Sequence, residues 1–127
     1  MSKRNAARAV VVDKDNNIAV LSVRGGMYHK IPGGGVKEGE TEEQAAIREA
    51  REEAFSDVEI IGNLGDLKFT DPGEISLIHY STGFLAKKIG DNPEPNSVYD
   101  EQERGFPLSW LNFEEAIEKF EQEETEN

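Results

Sequence analysis

Hydrophobic and polar residues alternate in several short stretches of the chain, and each stretch ends near glycine, proline, aspartate or asparagine. Short runs rich in valine, isoleucine and leucine with such borders are typical of β-strands. The pattern predicts strands at residues 7–13, 18–24, 58–64, 67–70 and 75–87, with a last one at 105–110. Turns or loops are expected between them, including the glycine run at residues 33–35.

Residues 39–55 have the clearest helical pattern. Thr41 and Gln44, three positions apart, form a capping box, in which each side chain satisfies a backbone N–H group of the first turn. Asn112 and Glu115 form a second capping pair at the start of a predicted final helix, which covers residues 112–121. Strands outnumber helices, and one helix lies between strands. The pattern therefore predicts the α/β class, with a mixed β-sheet and helices packed on it.

The length of 127 residues suits a single domain, which we predict to span residues 1–127 with an acidic tail at about 122–127. The absence of cysteine excludes disulfides, thiolate catalysis and zinc fingers. The apolar runs are too short for a signal peptide or a membrane span. These observations predict a cytoplasmic protein without a membrane partner.

The net charge of −12 is concentrated toward the end of the chain. Residues 114–127 hold seven glutamates and one lysine. An acidic chain repels phosphate backbones, which argues against nucleic-acid binding. A phosphate-binding pocket in such a chain would need divalent cations to mediate the contact.

Three glutamates of the first predicted helix share one face. Glu49, Glu52 and Glu53 stand at positions i, i+3 and i+4 of a helix with 3.6 residues per turn. Like charges at these spacings destabilise a helix, and the i,i+4 pair of Arg48 with Glu52 offsets only part of this. The cluster can be a solvated helix face. It makes more sense as a site for Mg²⁺ or Mn²⁺, which prefer oxygen ligands.

The spacing of these residues extends to a longer motif. A glycine is followed after five residues by glutamate, then after seven by Arg-Glu-Ala, one further residue and Glu-Glu. This resembles the Nudix box of the Nudix hydrolases. The matching fixed positions are Gly34, Glu40, Arg48, Glu49, Glu52 and Glu53.

The resemblance, which is to the MutT-like members of the family, implies an α/β/α sandwich with a mixed β-sheet. It implies a metal-dependent hydrolase that cleaves a phosphoanhydride bond in a nucleoside diphosphate linked to another group. The substrate would be a small nucleoside triphosphate or nucleotide sugar, the cofactor Mg²⁺ or alternatively Mn²⁺, and a homodimer is compatible with the family. The alternative is a catalytically impaired Nudix-fold module that binds nucleotides or regulates.

The resemblance also implies roles for the residues of the metal site. Glu52 and Glu53 would bind the metal, and Glu49 would be either a ligand or the base that activates water. Arg48 would hold a carboxylate in place, with Glu49 as the candidate. The carbonyl of Gly33 would be a backbone ligand. A later loop would add one more acidic ligand, Glu103 in preference to Glu101.

Other residues would serve the substrate or the loop. Gly34 and Gly35 would allow close approach of the substrate to the backbone. The candidates for stacking on a base are Tyr28, Phe69, Tyr80, Phe84 and Trp110, with Tyr28 assigned to the site. The faces of a sheet also need aromatic side chains, so each of the five can also belong to the core. Glu40 would fix the loop before the helix rather than bind metal.

The chain departs from the family pattern at the end of the helix. Phe55 replaces the glycine that usually adopts a left-handed conformation there, and Ser56 replaces a bulky aliphatic residue. We expect the helix to run about one residue longer, with Phe55 as an apolar anchor and Ser56 or Asp57 forming the turn.

Overall fold

The alternating apolar runs form strands in the computed structural model, which describes residues 2–23, 25–71, 74–92 and 106–126. Within these ranges, the strands are β1 (Ser2–Val12), β2 (Ile18–Val23), β3 (Tyr28–Lys30), β4 (Gly33–Gly35), β5 (Ser56–Asp71), β6 (Glu74–Asp91) and β7 (Leu108–Leu111). The helices are α1 (Glu42–Ala54) and α2 (Phe113–Glu126). Both lie where helices are predicted, and the capping box of α1 is present.

All the described strands belong to one mixed sheet, in the order β3-β2-β1-β6-β5, with β4 paired to β1 and β7 to β2. Strands β1 and β6 are parallel over the whole length of β1, and the other pairs are antiparallel. Strand β2 pairs with β1 at the Val12–Ile18 hairpin end. Strand β4 pairs with an earlier part of β1, at Ala6–Arg8. This pairing places the glycine run beside β1 and against the second half of α1, where Gly33 and Gly34 contact Glu53 and Glu49.

Helix α1 packs on one face of the sheet through small side chains. Its alanines at positions 45, 46, 50 and 54 are buried against Ala7, Ala9 and Val11 of β1. Alanine side chains allow the helix backbone to approach the sheet closely. Phe84 of β6 is also buried in this cluster, where it fills the core.

Helix α2 packs on the opposite face. Because successive side chains of a strand point to opposite sides, Val10 and Val12 of β1 face away from α1 and pack in a second cluster. Ala116 and Phe120 of α2 belong to that cluster. The two layers of helix confirm the predicted α/β/α sandwich. In the described part of the chain, no helix is long and apolar enough to cross a membrane.

Several predicted boundaries differ from the structure. Strand β1 begins at Ser2 instead of residue 7, β6 ends at Asp91 instead of residue 87, and β7 spans Leu108–Leu111 instead of 105–110. The strands predicted at 58–64 and 67–70 form one strand, β5. Bulges near Gly62 and Gly65 shift the register of its pairing with β6, and the pairing continues on both sides of them. The glycine run forms strand β4 instead of a turn. Helix α2 continues to Glu126, so most of the predicted acidic tail is helical.

The prediction for the end of α1 is wrong. The helix stops at Ala54, and Phe55 itself takes the left-handed conformation, with φ 51° and ψ 37°. Phe55 is 39% exposed. Ser56 is fully buried at the start of β5, where its Oγ donates to the Ala54 carbonyl at 2.7 Å. The chain reverses at position 55 because β5 begins at the very next residue. A left-handed residue other than glycine costs roughly 1–2 kcal/mol.

Candidate active site

The three clustered glutamates of α1 are buried. Glu49, Glu52 and Glu53 are only 7–8% exposed, although each is an ionisable residue. They line an open cavity of about 460 Å³ between α1 and strand β4. The cavity is lined by side chains of both charges, by the glycine strand and by one aromatic ring. These residues are Arg4, Lys30, Lys37 and Arg48, then Glu49, Glu52 and Glu53, and finally Gly33, Gly34, Gly35 and Phe106.

Arg48 connects the carboxylates of the site. Its guanidinium donates two hydrogen bonds to Glu40, from Nε at 2.8 Å and from Nη2 at 3.0 Å. Nη1 donates to Glu49 at 2.9 Å and to Glu52 at 3.2 Å, and Nη2 also donates to the Gly35 carbonyl at 2.9 Å. Arg48 therefore contacts Glu49, as expected from the motif, but its bidentate partner is Glu40. The Glu40 contacts raise the pKa of Arg48 above its usual range.

Glu40 closes the loop that leads into α1. Besides its two bonds to Arg48, it accepts a hydrogen bond from the Lys37 backbone N–H at 3.0 Å. The Arg48 hydrogen bond, more than any other influence, lowers the pKa of Glu40. These are the contacts of a residue that fixes a loop, and Glu40 is not among the residues that line the cavity.

Glu49 lies directly against the glycine strand. A Cβ atom added at Gly34 would come within 2.5 Å of Oε1 of Glu49 and 3.0 Å of its Cδ. Any side chain at this position would require the Glu49 carboxylate to shift. Burial raises the pKa of Glu49, and the negative charge of Glu53 raises it further, while Arg48 acts in the opposite direction. Glu49 thus holds its proton more tightly than an exposed glutamate does.

Glu52 and Glu53 differ in their partners. In Glu53, Oε1 accepts a hydrogen bond from the Gly33 N–H at 2.8 Å, and Oε2 lies 3.2 Å from Nζ of Lys30. In Glu52, Oε2 faces Arg48, while Oε1 is buried and meets no hydrogen-bond donor among the described residues. A buried carboxylate oxygen without a partner is costly, and a cation would satisfy it.

The donor set fits a hard divalent cation in kind and in charge. Within the ion-paired cluster, four carboxylates, counting Glu40, contact two cations, Arg48 and Lys30, so this cluster carries excess negative charge, although Arg4 and Lys37 also line the cavity. Carboxylate oxygens are the ligands that Mg²⁺ and Mn²⁺ prefer. In the ranges that the structure describes, however, no three acidic or histidine side chains converge on one point. The ligands are therefore present but not gathered around a common centre. Glu103 and Glu101 lie outside the described residues.

The substrate end of the cavity differs from the sequence expectation. Gly34 and Gly35 line the cavity, but Tyr28 is exposed and is not among the lining residues, so its stacking role stays a prediction. Phe106 is the aromatic ring at the cavity, with Nζ of Lys30 4.6 Å from its centroid.

Sequence reasoning missed four of the lining residues, Arg4, Lys30, Lys37 and Phe106. Lys30 and Lys37 flank the glycine run, which is the one signal that could have suggested them. Arg4 and Phe106 come from distant segments that only the sheet topology brings to the cavity.

The fold and the cavity together define an α/β/α sandwich with a carboxylate site on one helix. A model of the NUDIX domain family matches residues 2–126, and the chain belongs to that family. The resemblance predicted from the box is thereby confirmed. Family membership also supports the prediction that the chain is a Nudix hydrolase, an enzyme that cleaves pyrophosphate linkages.

Solved structures share the fold at low sequence identity. A NUDIX hydrolase from Nitrosomonas europaea superposes with a TM-score of 0.73 at 20% identity, covering 93% of this chain and 78% of that one. The MutT protein from Bacillus halodurans gives 0.66 at 21%, covering 91% and 72%. The Ap4A hydrolase of C. elegans gives 0.62 at 23%, covering 95% and 88%. No curated protein sequence matches the chain.

Proposed function

We propose that the protein is a hydrolase dependent on Mg²⁺, or alternatively Mn²⁺, that cleaves a phosphoanhydride bond in a nucleoside diphosphate linked to another group. One observation carries the proposal. Three buried glutamates on one helix face line a cavity, and one of them, Glu52, has a buried oxygen without a hydrogen-bond donor among the described residues. A protein gains nothing in stability from such an arrangement, whereas a divalent cation would complete it.

The metal would be held by Glu52, Glu53 and the Gly33 carbonyl, with Glu103 as a further ligand. When bound, a divalent cation neutralises the charge that develops on phosphate oxygens during the transfer. Arg48 orients the carboxylates, because its planar fork fixes several of them at once.

Glu49 serves as a further ligand or as the base. As a base it takes a proton from the water that attacks phosphorus, while the bond from phosphorus to the leaving phosphate oxygen breaks. The raised pKa of Glu49 favours this proton uptake. Its carboxylate lies directly against Gly34 and accepts a hydrogen bond from Arg48.

The substrate is a small nucleotide, a nucleoside triphosphate or a nucleotide sugar. Arg4 and Lys37 line the cavity and supply positive charge for phosphate groups in an otherwise acidic protein. Gly34 and Gly35 leave space beside the phosphates, and Phe106 offers a ring face. Because one structural relative is an Ap4A hydrolase, dinucleoside polyphosphates belong in the substrate screen. A cytoplasmic location and a homodimer stay predictions.

A substrate screen tests the proposal. The protein is incubated with nucleoside triphosphates, nucleotide sugars and dinucleoside polyphosphates in Mg²⁺, in Mn²⁺ or in EDTA, and the products are separated by ion-exchange chromatography. We expect cleavage of at least one class only when metal is present. Glu52→Gln and Glu53→Gln should each reduce kcat at least 100-fold, an order typical for the loss of a group that acts on the transition state.

Glu43→Gln is the matched control, because Glu43 is an exposed glutamate of the same helix. It should leave turnover close to that of the wild type. Circular dichroism checks that each variant is folded. If the wild type binds a nucleotide but cleaves nothing with either metal, the alternative of an impaired binding module is correct. If Glu53→Gln is as active as Glu43→Gln, the carboxylates of α1 do not perform the chemistry.

A further inference from the structure

Lys30 lies outside the box motif but reaches into the carboxylate cluster. It is the last residue of β3, and its Nζ is 3.2 Å from Oε2 of Glu53. The same ammonium group lies 4.6 Å from the centroid of the Phe106 ring. The side chains of Lys30 and Glu53 are 29% and 5% exposed, so the ion pair is largely shielded from water.

Both carboxylate oxygens of Glu53 are already engaged within the protein. The Gly33 N–H donates to Oε1, and Lys30 pairs with Oε2. A divalent cation that uses Glu53 as a ligand must therefore share this carboxylate with the lysine or displace it. Arg48 occupies one oxygen of Glu52 in the same manner. The protein's own cations thus contact carboxylate oxygens that a metal ion would use.

We propose that Lys30 is an internal counter-cation of Glu53 that competes with the divalent metal, and that it thereby sets the metal concentration at which the site fills. The inference rests on the proposed function, since it assumes that Glu53 is a metal ligand. Without metal, the ammonium group prevents a buried carboxylate from being left unpaired. With metal, the lysine must leave Glu53 or remain close to a second positive charge, and either outcome weakens metal binding.

The test measures metal affinity directly, with Mn²⁺ alone and without substrate. Isothermal titration calorimetry of Lys30→Met should show a dissociation constant for Mn²⁺ that is roughly five- to tenfold lower than that of the wild type, as expected for removal of one shielded competitor. This direction is diagnostic, because general damage to the site would weaken binding. Lys30→Arg restores the positive charge and should return the constant toward the wild-type value.

Lys37→Met is the matched control. Lys37 is an exposed lysine that lines the same cavity, and its backbone N–H, not its ammonium group, donates the hydrogen bond to Glu40. This variant loses the same charge without removing the ammonium group that touches Glu53. Its metal affinity should change less than twofold. An equal gain in Lys37→Met and Lys30→Met would show that overall charge is responsible and would overturn the role of the Lys30 contact.

Thermal unfolding provides a second readout. Metal-free Lys30→Met should melt at a lower temperature than the wild type, and saturating Mn²⁺ should raise its melting temperature by a larger amount. Should Lys30→Met fail to fold, Lys30→Gln replaces it, because the amide still donates to Glu53 without carrying charge. This variant should also bind Mn²⁺ more tightly than the wild type.

The outcomes separate the two proposals. If the wild type binds Mn²⁺ while folded Lys30→Met or Lys30→Gln binds it equally or more weakly, the competition inference is wrong and the proposed function stands. If neither the wild type nor any variant binds Mn²⁺, the metal site itself is refuted, and the inference falls with it.

Discussion

Replacement of Arg48 by methionine tests whether this residue holds the carboxylate cluster together. Methionine retains a flexible chain of similar length but removes the guanidinium. The substitution deletes four hydrogen bonds to the carboxylates of Glu40, Glu49 and Glu52, as well as one to the Gly35 carbonyl. These carboxylates would then lie close together without their common cation.

The size of the effect follows from burial. Removing one partner of a buried ion pair costs about 3–5 kcal/mol. The side chain of Arg48 is 19% exposed, so water reaches part of the network, and we expect the lower end, a loss of about 3 kcal/mol. A domain of this size has a free energy of unfolding of about 5–15 kcal/mol, so most of the variant should remain folded at 25 °C.

The assay is urea unfolding in EDTA, followed by circular dichroism. Arg51→Met is the control, since Arg51 lies on the same helix and forms a half-exposed pair with Asp57 at 3.0 Å. Loss of that pair should cost less than about 1 kcal/mol. Arg48→Lys should fall between the two, because lysine keeps the charge but cannot form the bidentate fork.

A loss below about 1 kcal/mol in Arg48→Met, equal to that of the control, would refute the reasoning. The carboxylates would then be stabilised by something other than the guanidinium. Saturating Mn²⁺ should recover part of the loss, because a bound cation replaces some of the missing positive charge.

Three further changes address the glycine strand, the protonation of the site and the helix end. Gly34→Ala should displace the Glu49 carboxylate and lower kcat by on the order of 100-fold. Gly35→Ala is the control, because its Cβ would meet open space, and it should lower kcat far less. Equal losses of kcat in the two variants would contradict the steric explanation. Because burial and the charge of Glu53 raise the pKa of Glu49, the folded state binds this proton more tightly than the unfolded state. The free energy of unfolding without metal should therefore fall as the pH rises from about 4.3 through the raised pKa, and Glu49→Gln should remove this fall in urea titrations across pH. Phe55→Gly should be about 1 kcal/mol more stable than Phe55→Ala, since glycine adopts positive φ without a Cβ clash, and both should retain turnover; a more stable alanine variant would disprove the strain at this position.

Local patterns predicted a large part of the fold and of the site. The period of 3.6 residues placed Glu49, Glu52 and Glu53 on one face, and the structure buries all three at one cavity. The capping residues located the start of α1. The apolar run at residues 7–13 predicted a strand, and β1 covers residues 7–12 of it. These features depend on residues within about one helical turn or along one strand, so the sequence itself determines them.

Other features were decided by tertiary structure. Arg48 has its strongest contact with Glu40, eight positions earlier, because the loop that leads into α1 places Glu40 beside the second turn of the helix. Lys30 reaches Glu53 because β3 and β4 bring the two segments together, and no periodicity relates positions 30 and 53. Phe55 adopts a left-handed conformation because β5 starts immediately after it and the Asn92 N–H binds its carbonyl at 2.8 Å.

The difference has a physical reason. The sequence is sufficient to predict which residues share a helix face, because this depends only on the spacing of residues along the helix. Contacts between distant segments depend on strand pairing and on where the chain reverses direction. Both are set by the packing of the whole domain and cannot be derived from any one segment. For this protein, the sequence alone identified the family and placed Glu49, Glu52 and Glu53 on one helix face. The tertiary structure decided which cations, Arg48 and Lys30, bind those carboxylates.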